Sequence, residues 1–392
     1  MVRSRVCLMW SRLGPYHLAR LRGATKVLGR ERYDVVGVEV ASRDEYGWQD
    51  DGGRDDCEVL TLFRGARYSE IPRFQIRTMV RTTLESLQPL AVATNGWSMP
   101  EAAEALRWAR AQRGRRAIVM SETKSDDIPR SWWRESVKRW VLRRAAAGLV
   151  GGAAHADYLH SLGVPADRIF RGYDAVDNEY FAQRSREARS ADRSLRERLA
   201  LPERYFFACT RLLPRKNVDG LLRAYALYRQ RSEERSKTPP WDLIVAGDGP
   251  EAASLKRLAS DLGAPGVFWP GFLQYDRLPD FYSLASAFVH PAHQEAWGLV
   301  VNEAAASGLP LLLSRTVGAR SDLLHDGVNG ESFDPGNTVE ISEALARMSS
   351  RHRDALGDMG ERSRAIVSAY GPDRFGAGLL AAVESAPDAP ST

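Results

Sequence analysis

The stretch A-F-V-H-P-A-H-Q-E-A-W-G-L-V-V-N-E-A, residues 287–304, with P-L-L-L-S close behind it at 310–314, decides the architecture of this chain. Residues 287–290 form an apolar run of strand length. Gly298 then opens a helical pattern over 299–307, and 310–314 is a second apolar run. Strands alternating with helices imply parallel βαβ units. Glu295 falls just past the end of the first strand, at the sheet edge where such folds bind ligands.

The alternation extends in both directions. Upstream lie a strand at 205–210, a helix at 218–229 and a strand at 242–246 that runs into G-D-G-P, residues 247–250. A helix at 251–262, a strand at 267–269 and a helix at 276–285 follow. Downstream, 338–350, 354–369 and 373–384 read as helices. The first half repeats the pattern, with strands at 6–10, 35–40, 59–63, 90–93 and 117–120 and helices at 16–28, 71–87 and 100–112. A polar stretch at 41–56 interrupts it and reads as a loop or insertion. Residues 183–200 are charged and nearly free of large apolar side chains, so the domain boundary is placed near them, as a linker or an exposed helix. The expected fold is α/β: one Rossmann-like domain over 1–185, a second over 200–370, and a cleft between them.

Composition agrees with that frame. A chain of 392 residues is long enough for two cores. No run approaches the roughly 18 apolar residues of a membrane span, and the apolar part of M-V-R-S-R-V-C-L-M-W is too short for a signal peptide. Cys7, Cys57 and Cys209 are scattered, without a C-x-x-C, which suits a reducing cytoplasm. Residues 1–200 carry 35 Lys and Arg against 26 Asp and Glu, and the remainder carries 20 against 24. The halves therefore face different partners. The basic half suits anionic lipid or an anionic acceptor. No nucleic-acid motif is present, and no nucleic acid is expected as a partner.

R-L-L-P-R-K-N, residues 211–217, supplies Arg211 and Lys216 between a strand and a helix. A carboxylate pair flanking a helix start, together with separate cations, suits a sugar nucleotide. Carboxylates accept from sugar and ribose hydroxyls, while cations and helix-end N–H groups neutralise a diphosphate. Taken singly, the two carboxylates are ordinary surface groups and the two cations ordinary loop residues. Together, E-A-W-G-L-V-V-N-E-A and R-L-L-P-R-K-N resemble the E-x7-E and R-(x4)-K-(N/G) signatures of the retaining glycosyltransferases of family 4, with the GT-B fold. The resemblance is strongest over about 205–335.

The resemblance implies roles. Glu295 binds hydroxyls of the donor sugar, Glu303 binds the ribose, and Arg211 and Lys216 clamp the diphosphate. Gly298 with the amides of Leu299 and Val300 faces the phosphates. Gly247 lies beside the nucleotide, and Leu273 lies near the base. In the first domain Gly14, in R-L-G-P-Y-H, approaches the donor phosphate, although Pro15 replaces the usual second glycine, and His17 is a candidate at the reacting end. Many members place a histidine after the fifth strand; here the stretch reads V-M-S-E-T-K-S-D-D, and Glu122 is the available group, or else a loop partner of Lys124. His155 and Trp97 are further candidates for the acceptor side. The last helix, within 371–392, is expected to cross back onto the first domain.

The implied activity is transfer of a hexose or N-acetylhexosamine from a nucleoside diphosphate sugar, UDP favoured, with retention of configuration. It would serve the making of a polysaccharide, a glycolipid or a glycosylated metabolite. No cofactor and no metal are expected. The acceptor is a sugar, a lipid-linked molecule or a small metabolite. S-W-W-R-E-S-V-K-R-W-V-L-R-R, running from Ser131 to Arg144, reads as an amphipathic helix packed on the sheet or as a basic helix on a membrane surface. The second reading makes the protein peripheral on the cytoplasmic face. A sugar phosphorylase on the same scaffold and a non-catalytic nucleotide-binding scaffold remain as alternatives; a glycoside hydrolase does not suit the basic clamp.

Overall fold

The computed structural model describes residues 3–43, 48, 56–127, 130–143, 145–235 and 239–385. The chain divides into two compact units, residues 1–177 with 370–392, and residues 178–369.

In the first unit, seven strands among the described residues form one parallel sheet: β1 (Ser4–Trp10), β2 (Tyr33–Arg43), β3 (Val59–Arg67), β4 (Ala91–Asn95), β5 (Arg116–Ser121), β6 (Ala147–Val150) and β7 (Ile169–Arg171). Their order is β3-β2-β1-β4-β5-β6-β7. The order reverses between β1 and β4, the switch point of a Rossmann-like sheet. Successive β1 side chains take opposite faces. Val6 and Leu8 pack with helix α1 (Pro15–Arg30), while Cys7 and Met9 join the core that holds Ile76 and Val80 of α2 (Arg73–Leu87). Both faces are covered, which is why the strand reads as an unbroken apolar run. Helices α3 (Pro100–Ala111), α4 (Trp132–Leu142) and α5 (Ala153–Ser161) complete this part. The polar stretch at 41–56 continues β2 as far as Arg43; of the rest only Trp48 and Asp56 fall within the described residues.

The charged stretch at 183–200 lies in two helices of the second unit, α6 (Asn178–Ser190) and α7 (Asp192–Leu199). Phe181, Ser185 and Ala188, at i, i+4 and i+7, bury one face of α6. Phe181 meets the rings of Tyr275 and Tyr282 at 5.4 and 6.1 Å. The sheet of this unit contains β8 (Tyr205–Cys209), β9 (Asp242–Ala246), β10 (Val267–Gly271), β11 (Ala287–His290), β12 (Leu311–Ser314) and β13 (Gly330–Phe333). They run parallel in the order β10-β9-β8-β11-β12-β13. Here the reversal lies between β8 and β11, where Phe206 pairs with Ala287 and Phe207 with Phe288. Helices α8 (Val218–Arg235), α9 (Ala252–Asp261), α10 (Leu278–Leu284), α11 (Leu299–Ala306), α12 (Arg320–Leu323), α13 (Thr338–Ser349) and α14 (Arg353–Val367) connect and cover the strands.

The last helix, α15 (Pro372–Ser385), belongs to the first unit. It crosses α1 at two glycines. A Cβ on Gly23 would lie 2.1 Å from the Pro372 carbonyl oxygen, and one on Gly376 would lie 2.6 Å from the Gly23 oxygen. The close approach lets Phe375 and Leu379 reach the core beside Val6 and Leu8.

Candidate functional site

In the second unit the loops leaving β8 and β11 converge at the switch point. The β8 loop enters a short 3-10 turn, Pro214–Lys216, and closes on Asn217 in the left-handed region at φ 55°. Asparagine tolerates that conformation. Its buried Nδ2 donates to the carbonyls of Pro291 and Pro335 at 3.0 and 2.8 Å, which ties this loop to the one after β11. The Lys216 ammonium is thereby held against Glu295, donating to Oε2, with both side chains buried. His290, the last residue of β11, places Nε2 2.8 Å from the same oxygen.

Burial pushes the Glu295 carboxyl up, but His290 and Lys216 outweigh it and bring its pKa down to about 2. Burial lowers the pKa of Lys216, and Glu295 only partly restores it. Burial likewise favours neutral His290, so Nε2 carries the proton donated to Glu295. Oε2 of Glu295 is thus doubly engaged, while Oε1 makes no hydrogen bond among the described residues and stays open to a hydroxyl donor.

Two glycines permit this arrangement. Gly298 adopts φ 99°, and a Cβ there would press to 3.1 Å from Cγ of Glu295. It opens α11, whose first amides, at Leu299 and Val300, have no carbonyl one turn earlier and carry the positive end of the helix. Gly247 adopts φ 132°, and a Cβ there would stand 1.8 Å from the Thr210 carbonyl oxygen. Its amide donates to Gly271 at 2.8 Å, just before half-buried Leu273. The Asp248 carboxylate accepts from Gly249 N–H at 2.7 Å, so it serves the turn. Arg211 is exposed in the β8 loop. Glu303 is fully buried, and the Tyr282 hydroxyl donates to its Oε2 at 2.7 Å. An ionised carboxylate next to a lysine at a helix amino end can hold a polyhydroxylated molecule that carries an anion.

Residues 192–365 match the family described as glycosyl transferases group 1, and residues 36–171 match the glycosyl transferase 4-like domain. Both parts of the chain are thus similar to glycosyl transferases. The chain is similar to the GDP-mannose-dependent alpha-(1-6)-phosphatidylinositol monomannoside mannosyltransferase of Mycobacterium tuberculosis, 29% identical over 291 residues, which are 70% of this chain and 71% of that protein. It is also similar to the alpha-D-kanosaminyltransferase of Streptomyces kanamyceticus, 30% identical over 227 residues, 60% of this chain and 44% of that one. Among solved structures, Anabaena Alr3699/HepE in complex with UDP and glucose shares the fold at a TM-score of 0.72 and 18% identity, covering 98% of this chain and 100% of that chain.

In the first unit a cavity of about 410 Å³ opens at the β1–β4 switch point. Trp10, Tyr16, Trp48 and Tyr68 contribute aromatic wall, and Gly14, His17 and Asn95 line it too. Gly14 N–H donates to Nδ1 of His17 at 3.1 Å, the ring taking the place a glutamate has in a capping box. That bond leaves the proton on Nε2. Burial, then the charges of Arg20 and Arg12, lower the His17 pKa to about 3, so the ring is a neutral donor near pH 7. His155 repeats the device, accepting from Gly152 N–H at 3.3 Å. The sequence leaves open a Glu122–Lys124 loop bridge; the structure pairs Lys124 with Asp126 at 2.7 Å instead, and half-buried Glu122 has no hydrogen bond among the described residues.

Helix α4 meets the core through its last two residues, Val141 and Leu142. Within it only Leu142 is buried, while Trp132, Trp133 and Trp140 are 82, 53 and 61% exposed. The inward face belongs to Glu135 and Lys138, both bonded to the Tyr158 hydroxyl at 2.8 Å, so the tryptophans turn outward. Arg144, at the end of the basic stretch, lies outside the described residues. No helix among the described residues is long and apolar enough to cross a membrane, and no group of three or more His, Cys, Asp or Glu there is placed to hold a metal ion.

His290 and Tyr282 went unread as site residues in the sequence. The first looked like the end of a strand, and the second lay on the apolar side of a helix. The signal for His290 was a polar residue closing an otherwise apolar run directly before the Glu295 loop.

Proposed function

We propose that this protein is a glycosyl transferase that moves a sugar from a nucleoside diphosphate sugar to an acceptor hydroxyl, retaining the anomeric configuration and using no metal. The observation that carries the proposal is the Lys216–Glu295–His290 cluster at the amino end of α11. Arg211, Lys216 and the amides of Leu299 and Val300 hold the diphosphate, and Oε1 of Glu295 accepts from a sugar hydroxyl. Glu303 is the ribose partner, reached when Tyr282 shares its carboxylate. Glu295 is a poor nucleophile, because its pKa is held near 2 and one oxygen is doubly engaged. A same-face displacement suits that state. The bond from the anomeric carbon to phosphate breaks, the bond to the acceptor oxygen forms, and the acceptor proton passes to the departing phosphate. The protein contributes position and electrostatic stabilisation.

The donor base is UDP in the first reading; the GDP-mannose in the mycobacterial relative's name favours GDP as the second. Acceptor binding falls to the first unit, where the aromatic cavity offers faces for a sugar ring and His17 Nε2 offers a donor. In this reading Glu122 orients the acceptor hydroxyl. The outward tryptophans of α4, interleaved with Arg134, Arg139 and Arg143, rest the protein on an anionic bilayer at the cytoplasmic face.

Thermal stabilisation by UDP, GDP and their sugars, with exposed Arg211→Ala as control, tests donor binding. The expected result is a shift with one nucleotide that Arg211→Ala abolishes. A shift only with phosphate plus sugar would favour the phosphorylase, and a product of inverted configuration by NMR would overturn retention. Sedimentation with anionic vesicles tests the surface. Binding should be lost when Trp132, Trp133 and Trp140 become serine, and failure of the parent protein to sediment would overturn it.

A further inference from the structure

The amino-terminal edge of the second sheet, opposite the donor loops, holds a cavity of about 420 Å³. Arg204, Ser286 and Pro310 line it, each immediately before the first residue of β8, β11 or β12. Five-residue β8 separates this edge from the Arg211 loop by about 16 Å, at ~3.3 Å per residue. The volume lies in the roughly 300–1,000 Å³ range of small-molecule pockets.

Five arginines line the cavity: Arg189, Arg196, Arg204, Arg353 and Arg364. Two of its three carboxylates are already paired, Asp192 with Arg196 and Glu361 with Arg364. That leaves Arg189, Arg204 and Arg353 facing Glu203. Part of the cluster has a structural task. Arg189 donates to the carbonyls of Ser283 and Ser307 at 3.0 and 2.6 Å, Arg364 donates to Ser307 at 3.1 Å, and Arg196 donates to Leu284 at 3.0 Å. These bonds cap the carboxyl ends of α10 and α11. They do not employ Arg204, which lies 5.9 Å from the Trp241 ring, or Arg353. Nε of Arg364 is buried without a partner among the described residues. Burial, then Arg364, lowers the Arg189 pKa to about 10, so its charge is poorly compensated where it stands.

We propose that this cavity binds a small polyanion bearing two or more phosphate groups, at a site separate from the donor nucleotide, and that occupancy weakens donor binding through α11. The helix links the two places. Its amino end meets the donor diphosphate, and the Ser307 carbonyl beyond its other end is held by Arg189 and Arg364. An anion that draws these guanidiniums to itself loosens the carboxyl end of α11 and thereby its amides at the donor site. Linkage makes the effect reciprocal.

Calorimetry with inorganic pyrophosphate, and separately with a hexose bisphosphate, tests the site in the whole protein. Binding should persist in Arg211→Ala and weaken at least fivefold in Arg353→Glu, whose exposed position spares the fold. Arg204→Gln should weaken binding as well; if that variant fails to fold, Arg353→Glu alone decides. Binding of pyrophosphate but not the bisphosphate identifies a free-phosphate ligand; the converse identifies a phosphorylated sugar. In the parent protein, saturating polyanion should raise the dissociation constant of the donor nucleotide about fivefold. No binding, or binding abolished by Arg211→Ala and indifferent to Arg353→Glu, overturns the site. Binding with an unchanged donor constant overturns its regulatory half.

Discussion

Replacing Lys216 by methionine removes the ammonium from Glu295 while keeping the apolar stem. Two unit charges ~4 Å apart at an effective dielectric of ~20 attract by about 4 kcal/mol. The fall of the Glu295 pKa from 4.5 to about 2, about 3 kcal/mol near pH 7, is won against burial by His290 and Lys216 together, so it is not the pair's alone. The lysine tells a different story, because burial lowers its pKa despite the carboxylate. The intact pair therefore contributes less than either figure, while breaking one side strands a buried charge and costs roughly 3–5 kcal/mol. Lys216→Met should lose about 3 kcal/mol in urea denaturation at pH 7, and Lys216→Met/Glu295→Gln should recover at least half of that. The sign with pH follows from the lowered Glu295 pKa. Its stabilisation is complete above about 4.5 and disappears as pH falls through about 2, so parent and variant converge in acid. A loss under about 1 kcal/mol, or strictly additive single and double variants, would refute this account of the pair.

Gly247→Ala should cost more than about 2 kcal/mol, because the new methyl group meets backbone that cannot rotate away; thermal denaturation and nucleotide titration both report it. Tyr282→Phe should cost about 1–3 kcal/mol by leaving one oxygen of Glu303 without its hydroxyl, and a neutral result would mean that another donor moves in. His17 resists protonation when folded, so stability falls as pH drops from about 6.5 toward 3, by about 1.4 kcal/mol per unit. His17→Gln, which keeps an acceptor for Gly14 N–H, should lose about 2 kcal/mol less than the parent between pH 7 and pH 5; equal losses in denaturation would place the titration elsewhere.

Where strands were apolar on both faces, their limits could be read from the residues. Asp242–Ala246 and Ala287–His290 coincide with the expected runs because every side chain but the first of the former is buried. Gly330–Phe333 offered no such run, since only its first and last residues are buried, and three-residue Ile169–Arg171 is only partly covered. The site was legible as two motifs, but not their meeting: Lys216 and Glu295 lie 79 residues apart. Periodicity showed that α4 is amphipathic and was silent on whether its aromatic face met protein or water. That outcome depends on Tyr158, in another helix, capturing Glu135 and Lys138.

The return of the last helix to α1 has a consequence for the order in which the protein is made. By the time Ala369 has left the ribosome, every residue of the second unit is present, and that unit can close its core at once. The first unit, although its sheet strands are translated before the second unit, lacks the face that Phe375 and Leu379 cover until that second unit has been made in full. Val6, Leu8 and Leu21 must wait for it through some three hundred and fifty residues of elongation. A premature stop just after Tyr370 would therefore injure the unit whose strands were made before the other's.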